Sequence, residues 1–134
     1  NQDQLQAALD AGSQFIVSPG LTETLGRAAI RAEVPFLPGI ANAGDIMRGL
    51  DLGLSHFKFF PAEASGGIAT LKALAGPFGD VKFCPTGGIR QETAGDWLAL
   101  DQVLCVGGSW LAGGPPLDFD AIRERAQAAA ALAG

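Results

Sequence analysis

Short apolar runs recur along this chain at near-constant spacing, and no other feature narrows the fold as much. They are Gln14-Phe15-Ile16-Val17-Ser18, Val34-Pro35-Phe36-Leu37-Pro38, His56-Phe57-Lys58-Phe59-Phe60, Val81-Lys82-Phe83-Cys84-Pro85 and Val103-Leu104-Cys105-Val106-Gly107. Runs this short suit strands better than helices. Their starts, at positions 14, 34, 56, 81 and 103, lie 20–25 residues apart. That interval is too long for successive hairpins and matches one strand plus one helix. The intervening stretches have helical periodicity. Leu21, Leu25, Ala28 and Ala29 share one face, as do Ile46, Met47, Leu50 and Leu54, then Ile68, Leu71, Leu74, Ala75 and Phe78, then Trp97 and Leu98. Asn1 reads as the cap of a leading helix that turns Leu5, Ala8 and Leu9 inward, and Asn42 with Asp45 resembles a capping box. Gly12, Gly53 and Gly79 fall where helices should stop, and the alanine-rich stretch 118–132 reads as a last helix. The predicted order is α-βα-βα-βα-βα-βα within one domain spanning residues 1–134.

Repeated strand–helix units require a parallel sheet covered by helices. Two architectures satisfy this, an open doubly wound sheet and part of a closed barrel. Small or turn residues follow each strand at once: Ser18-Pro19-Gly20, Pro38-Gly39, Pro61-Ala62, Pro85-Thr86-Gly87-Gly88 and Gly107-Gly108-Ser109. Function gathers at such strand ends in both architectures. Glycine pairs after the last two strands favour the barrel, whose phosphate site follows strands seven and eight. The 134 residues are 48% apolar and 17% charged, enough for a packed core and unlike a disordered chain. A net charge of −5 with no basic run argues against a nucleic-acid partner. No stretch approaches the ~20 apolar residues of a membrane span, and no secretory signal is visible. A cytoplasmic protein without a membrane partner is expected. Cys84 and Cys105 lack metal-knuckle spacing and are expected to be two buried, reduced thiols.

The chain has three lysines: Lys58, Lys72 and Lys82. Lys72 lies mid-helix and is expected to be solvated, and Lys82 shares a strand face with Cys84. Lys58 sits inside an aromatic strand. Alternation puts Lys58 and Phe60 on one face and Phe57 and Phe59 on the other. If the two phenylalanines pack beneath helices, Lys58 points to the barrel interior. Lost hydration there favours the neutral amine, the nucleophile of Schiff-base chemistry. A lysine paired to an interior carboxylate is the competing reading. Gly87-Gly88 and Gly107-Gly108-Ser109 could let backbone N–H groups converge on an anion, with helix N-termini behind them. Two tight turns would use the same glycines. His56, the sole histidine, starts an aromatic strand without a partner cluster for a metal, and no Ser/His/Asp arrangement assembles convincingly around it. Trp97 and Trp110 read as core or interface anchors. Glu63 reads either as a charge held near the site or as a surface carboxylate.

Three segments then stand together: Phe57-Lys58-Phe59-Phe60-Pro61-Ala62-Glu63, Cys84-Pro85-Thr86-Gly87-Gly88-Ile89 and Gly107-Gly108-Ser109-Trp110, accompanied by Ser18-Pro19-Gly20-Leu21-Thr22 and by Ile40 after Pro38-Gly39. The set resembles the class I 2-keto-3-deoxy-6-phosphogluconate (KDPG) aldolases of the Entner–Doudoroff pathway over essentially the whole chain. That resemblance implies a TIM-type (β/α)8 barrel, a homotrimer and a lyase that needs no cofactor and no metal. It implies that Lys58 forms an imine with the substrate ketone, releasing glyceraldehyde 3-phosphate and then pyruvate. Gly87, Gly88, Gly107, Gly108 and Ser109 would hold the phosphate of the keto-acid substrate. Thr86 would contact its oxygens, and Pro19 and Phe60 would line the pyruvate end. The family's general-base glutamate on the second strand, the arginine one turn on and a threonine of the third strand have no match here. The chain is therefore expected to correspond to the C-terminal portion of the family, with about five of the eight βα units. Such a set cannot close a barrel unaided. It is expected to expose strand edges that aggregate or need pairing, which leaves the activity of the chain by itself open. Two alternatives stay open: a sister aldolase acting on 4-hydroxy-2-oxoglutarate or on 2-keto-3-deoxy-6-phosphogalactonate, and a non-catalytic phosphate-binding fragment that keeps the glycine loops without the base.

Overall fold

Asn1 caps the first helix, α1 (Gln2–Asp10), through a reciprocal box. Its side chain accepts from the Gln4 N–H at 3.0 Å, and Gln4 Oε1 accepts from the amino terminus at 2.9 Å. In the computed structural model, which describes residues 1–133, strands and helices then alternate: β1 (Ile16–Val17), α2 (Glu23–Arg31), β2 (Phe36–Leu37), β3 (Gly39–Ile40), α3 (Ala43–Asp51), β4 (His56–Phe59), α4 (Gly67–Ala75), β5 (Lys82–Pro85), α5 (Gln91–Leu98), α6 (Phe119–Ala130) and a 3-10 turn at Ala131–Ala133. Every strand pairing is parallel, β1 with β2 and β4 between β3 and β5. Strands therefore pair in chain order, and α2, α3 and α4 each carry the chain back to the start of the next strand. The fold is α/β, as the spacing predicts.

Prolines decide where the ladders break. β2 and β3 are one extended stretch interrupted by Pro38, which has no N–H to donate. Its carbonyl still accepts from the Lys58 N–H at 2.8 Å, which carries the pairing on to β4. The fifth apolar run does not form the predicted strand. It pairs only at two isolated points, Phe83 with Val103 and Thr86 with Gly107. Val103 lies 20 positions beyond its partner and Gly107 lies 21 beyond its own, so one residue bulges between them. Pro85 sits opposite that bulge and cannot donate there.

The core lies between the sheet and its helices. Phe57, Phe59, Ile46 and Trp97 are 0% exposed, with Ile40, Leu71, Val81 and Phe83 close behind. Full burial of one such side chain stabilises by about 1.5–3 kcal/mol. Phe59 meets Trp97 of α5 at 6.3 Å between ring centroids, a tilted aromatic pair. On α3 the inward face differs from the predicted one. Met47 is 57% exposed and Leu50 is also exposed, whereas Ile46 and Gly49 are buried. The Phe57 ring occupies the space where a Cβ on Gly49 would go, so glycine is what lets α3 lie against the sheet. Helix α4 ends at Ala75, capped by Gly76, and not at Gly79; Pro77 follows and has no N–H with which to continue the helical bonding. Gly12 and Gly53 do stop helices, with φ of +85° and +78°. Asn42 caps α3 through the Asp45 N–H, and Asp45 reaches back to the Ala41 N–H, one residue before the cap. Phe15 (66%) and Val17 are exposed along β1. Among the described residues no helix is long and apolar enough to cross a membrane.

Gly49→Val should lower the urea midpoint of unfolding by an amount equivalent to about 1–3 kcal/mol, because the core must shift around Phe57. An unchanged midpoint would show that α3 does not rest on that ring.

Candidate active site

Because the pairings are parallel, the C-terminal ends of the strands all open on one end of the molecule, and the residues of interest collect there. Lys58 is the register partner of Gly39 on β3 and of Cys84 on β5. Phe57 and Phe59, which flank it, are fully buried, so Lys58 stands on the opposite face of the sheet, half-buried. Its Nζ lies 4.6 Å from the centroid of the Phe60 ring. A cation over an aromatic face at that distance gains about 0.5–1 kcal/mol where water reaches it. Phe60 continues towards the glycine loop, since a Cβ on Gly87 would come within 3.2 Å of its ring.

Pro19 reaches this row from the loop after β1. Its carbonyl lies where a Cβ on Gly39 would stand, so glycine at 39 permits the close approach. Thr86 closes the row on the other side. Its N–H donates to the Phe59 carbonyl at 3.0 Å, and its hydroxyl donates to the Cys84 carbonyl at 3.4 Å. The same hydroxyl lies 4.0 Å from Cys84 Sγ. The structure thus brings together Pro19, Lys58, Phe60 and Thr86 with the loop that begins at Gly87.

The two glycine pairs are needed for different reasons. Gly87 and Gly88 adopt φ of +103° and +82°, the left-handed region that side chains avoid. Gly107 and Gly108 serve close packing: Gly107 sits against Thr86 Oγ1, and the ring of Trp110 fills the space beside Gly108. The first loop is clamped by the Ala62 N–H on the Thr86 carbonyl at 2.8 Å and the Glu63 N–H on the Gly87 carbonyl at 3.0 Å. The N–H of Gly107 donates to the Pro85 carbonyl at 2.9 Å and is therefore already engaged within the fold. Ser109 is exposed just beyond. Helix α5 starts behind the Gly87-Gly88 loop, and a helix N-terminus favours negative charge.

The cysteines differ from expectation. Cys105 is exposed, because the bulged fifth segment forms the outer edge of the sheet, and only Cys84 is partly buried. Burial and then the neighbouring Cys105 push the Cys84 thiol up to about 12; the Thr86 hydroxyl and the charge of Lys58 pull only weakly the other way. Cys84 therefore stays a neutral thiol beside Lys58 at neutral pH. His56 is exposed, with Nδ1 3.0 Å from Ser55 Oγ. Among the described residues no three His, Cys, Asp or Glu side chains gather as metal ligands do. One pair lies outside the sequence reading: the Trp97 indole N–H donates to Glu63 Oε1 at 3.1 Å across 34 positions. Glu63 and Trp97 both stand out in the sequence, but nothing there joins them.

At pH 8 iodoacetamide should modify Cys105 in the folded protein and spare Cys84 until denaturant is added, as peptide masses will show. The sign follows from the raised Cys84 pKa, which keeps thiolate scarce well above pH 8. Equal rates would contradict the burial of Cys84.

Comparison with known proteins gives the family. The family model for KDPG and KHG aldolases matches residues 1–124. A 2-dehydro-3-deoxy-phosphogluconate aldolase of Dickeya dadantii is 52% identical over 134 residues, covering 98% of this chain and 63% of that protein. A crystal structure of 2-keto-3-deoxy-6-phosphogluconate aldolase from Zymomonas mobilis is 48% identical, with a TM-score of 0.96 over 97% of this chain and 63% of that one. The KDPG aldolase of Legionella pneumophila, solved with pyruvate captured as a covalent carbinolamine, is 42% identical with a TM-score of 0.82, over 99% of this chain and 63% of that one. The chain therefore spans less than two thirds of the length of these relatives. The chain belongs to the KDPG and KHG aldolase family.

Proposed function

We propose that the protein is a class I aldolase that cleaves 2-keto-3-deoxy-6-phosphogluconate to pyruvate and glyceraldehyde 3-phosphate through an imine on Lys58. The observation that carries this reading is the amine of Lys58, held over Phe60 on the face of the sheet opposite the core, with Thr86 and the left-handed Gly87-Gly88 turn directly beyond it. The amine attacks the C2 ketone to give a carbinolamine, and loss of water gives a protonated imine. That cation withdraws the electrons of the C3–C4 bond as the C4 hydroxyl loses its proton, and the aldehyde leaves. The remaining enamine takes a proton at C3, and water then frees pyruvate and the lysine. The iminium supplies the electron sink that a metal supplies in other aldolases. The carbinolamine captured in the Legionella relative is the first of these species in that protein.

In this reading Thr86 contacts substrate oxygens, and Pro19 with the face of Phe60 lines the pyruvate end. Gly87, Gly88, Gly107, Gly108 and Ser109 surround the phosphate, with the N-terminus of α5 behind. The strand–helix units form one domain and correspond to about five of the eight in a TIM-type barrel. A homotrimer in the cytoplasm is the assembly and place that the family resemblance supports.

The test is pyruvate release from the phosphorylated keto acid by the intact natural protein. Lys58→Arg keeps the charge and removes the nucleophile, and should lower kcat on the order of a thousandfold or more with KM changed far less. A variant that kept a tenth of the activity would exclude the imine. A larger kcat/KM for 4-hydroxy-2-oxoglutarate than for the phosphorylated substrate would move the protein to the sister activity.

A further inference from the structure

A carboxylate packed against an anion-binding loop is an electrostatic liability, and Glu63 is packed against the Gly87-Gly88 loop. A Cβ on Gly88 would lie 2.7 Å from Glu63 Cβ and 2.8 Å from its Cγ, so the stem of Glu63 forms the floor under Gly88. The Glu63 N–H holds the Gly87 carbonyl at 3.0 Å. The charged end is directed elsewhere. Oε1 accepts from the Trp97 indole N–H at 3.1 Å, and Oε2 lies 3.5 Å from where a Cβ on Gly67 would stand, at the first residue of α4. The N-terminal field of α4 favours that negative charge. Trp97 is fully buried and packed on Phe59, so its donor is fixed in position.

We propose that Glu63 is a positioning residue for the phosphate of the substrate: its stem sets the Gly87-Gly88 loop, and Trp97 holds its carboxylate clear of the anion bound there. The inference rests on the phosphate role proposed above for that loop. A carboxylate released from Trp97 would stay tethered beside Gly88 and would repel the phosphate. The pair therefore lets an acidic residue support an anion site without opposing the anion.

Substitutions in the intact natural protein separate charge from shape. Glu63→Asp keeps the charge on a shorter arm that no longer reaches the indole. Glu63→Gln keeps the length, can still accept from Trp97 through its amide oxygen, and carries no charge. Glu63→Asp should raise KM for the phosphorylated keto acid about fivefold, the size expected of a partly screened charge repulsion, with kcat changed far less. Glu63→Gln should leave KM at or below the wild-type value. Trp97→Phe should raise KM as Glu63→Asp does, and the rise should disappear when Glu63→Gln is added. A Trp97→Phe rise that persists when Glu63→Gln is added would mean that only shape matters, equal KM rises for Glu63→Asp and Glu63→Gln would mean that the carboxylate does not oppose the anion, and no rise in either Glu63 variant would mean that the loop stands without Glu63; each of these results overturns the proposal while cleavage by the wild type keeps the aldolase reading. A wild-type protein that releases no pyruvate overturns both.

Discussion

The pairing of β4 between β3 and β5 decides what every side chain of that strand can do. With Lys58 opposite Gly39 and Cys84, Phe57 and Phe59 fall beneath the helices and Lys58 falls on the other side. A slip of one residue would exchange the faces. It would bury an ammonium against Trp97 and Ile46 and turn two phenyl rings towards the site. The cost of both changes runs in the same direction, so the hydrophobic core sets the register, and the register sets the side on which Lys58 lies.

Where strands stop matters as much as how they pair. Pro38 and Pro85 remove donors from the ladders, and Pro19 and Pro61 stand just past strand ends. The backbone leaves the sheet at once and becomes loop within two or three residues of Lys58. Glycine then allows neighbouring segments to crowd together: Gly39 against Pro19, Gly107 against Thr86, and Gly88 against Glu63. The site is compact because side chains are missing where backbones meet.

Much of this was legible in the sequence. The spacing of five apolar runs gives the alternation of strand and helix, and the simple parity of residues 57–60 gives the side on which Lys58 lies. Asn1 and the positive-φ glycines at 12 and 53 are local signals with local causes, and they read correctly. What was not legible depends on partners far away in the chain. Helical periodicity allows Met47 and Leu50 to face inward as well as Gly49, and only the Phe57 ring settles it. The bulge opposite Pro85 arises from a proline on another strand, and it leaves Cys105 exposed. The bond from Trp97 to Glu63 joins α5 to the loop after β4, with no spacing rule to announce it.

The central claim, that Lys58 is the nucleophile, is tested most directly by borohydride reduction in the presence of pyruvate followed by peptide mass spectrometry. Borohydride converts an imine into a stable secondary amine, so the attacking residue is marked permanently. The account predicts one pyruvate-sized addition, on the peptide containing Lys58, with Lys72 and Lys82 unmodified. An addition on either of those lysines, or none in a folded protein that releases pyruvate, would contradict it.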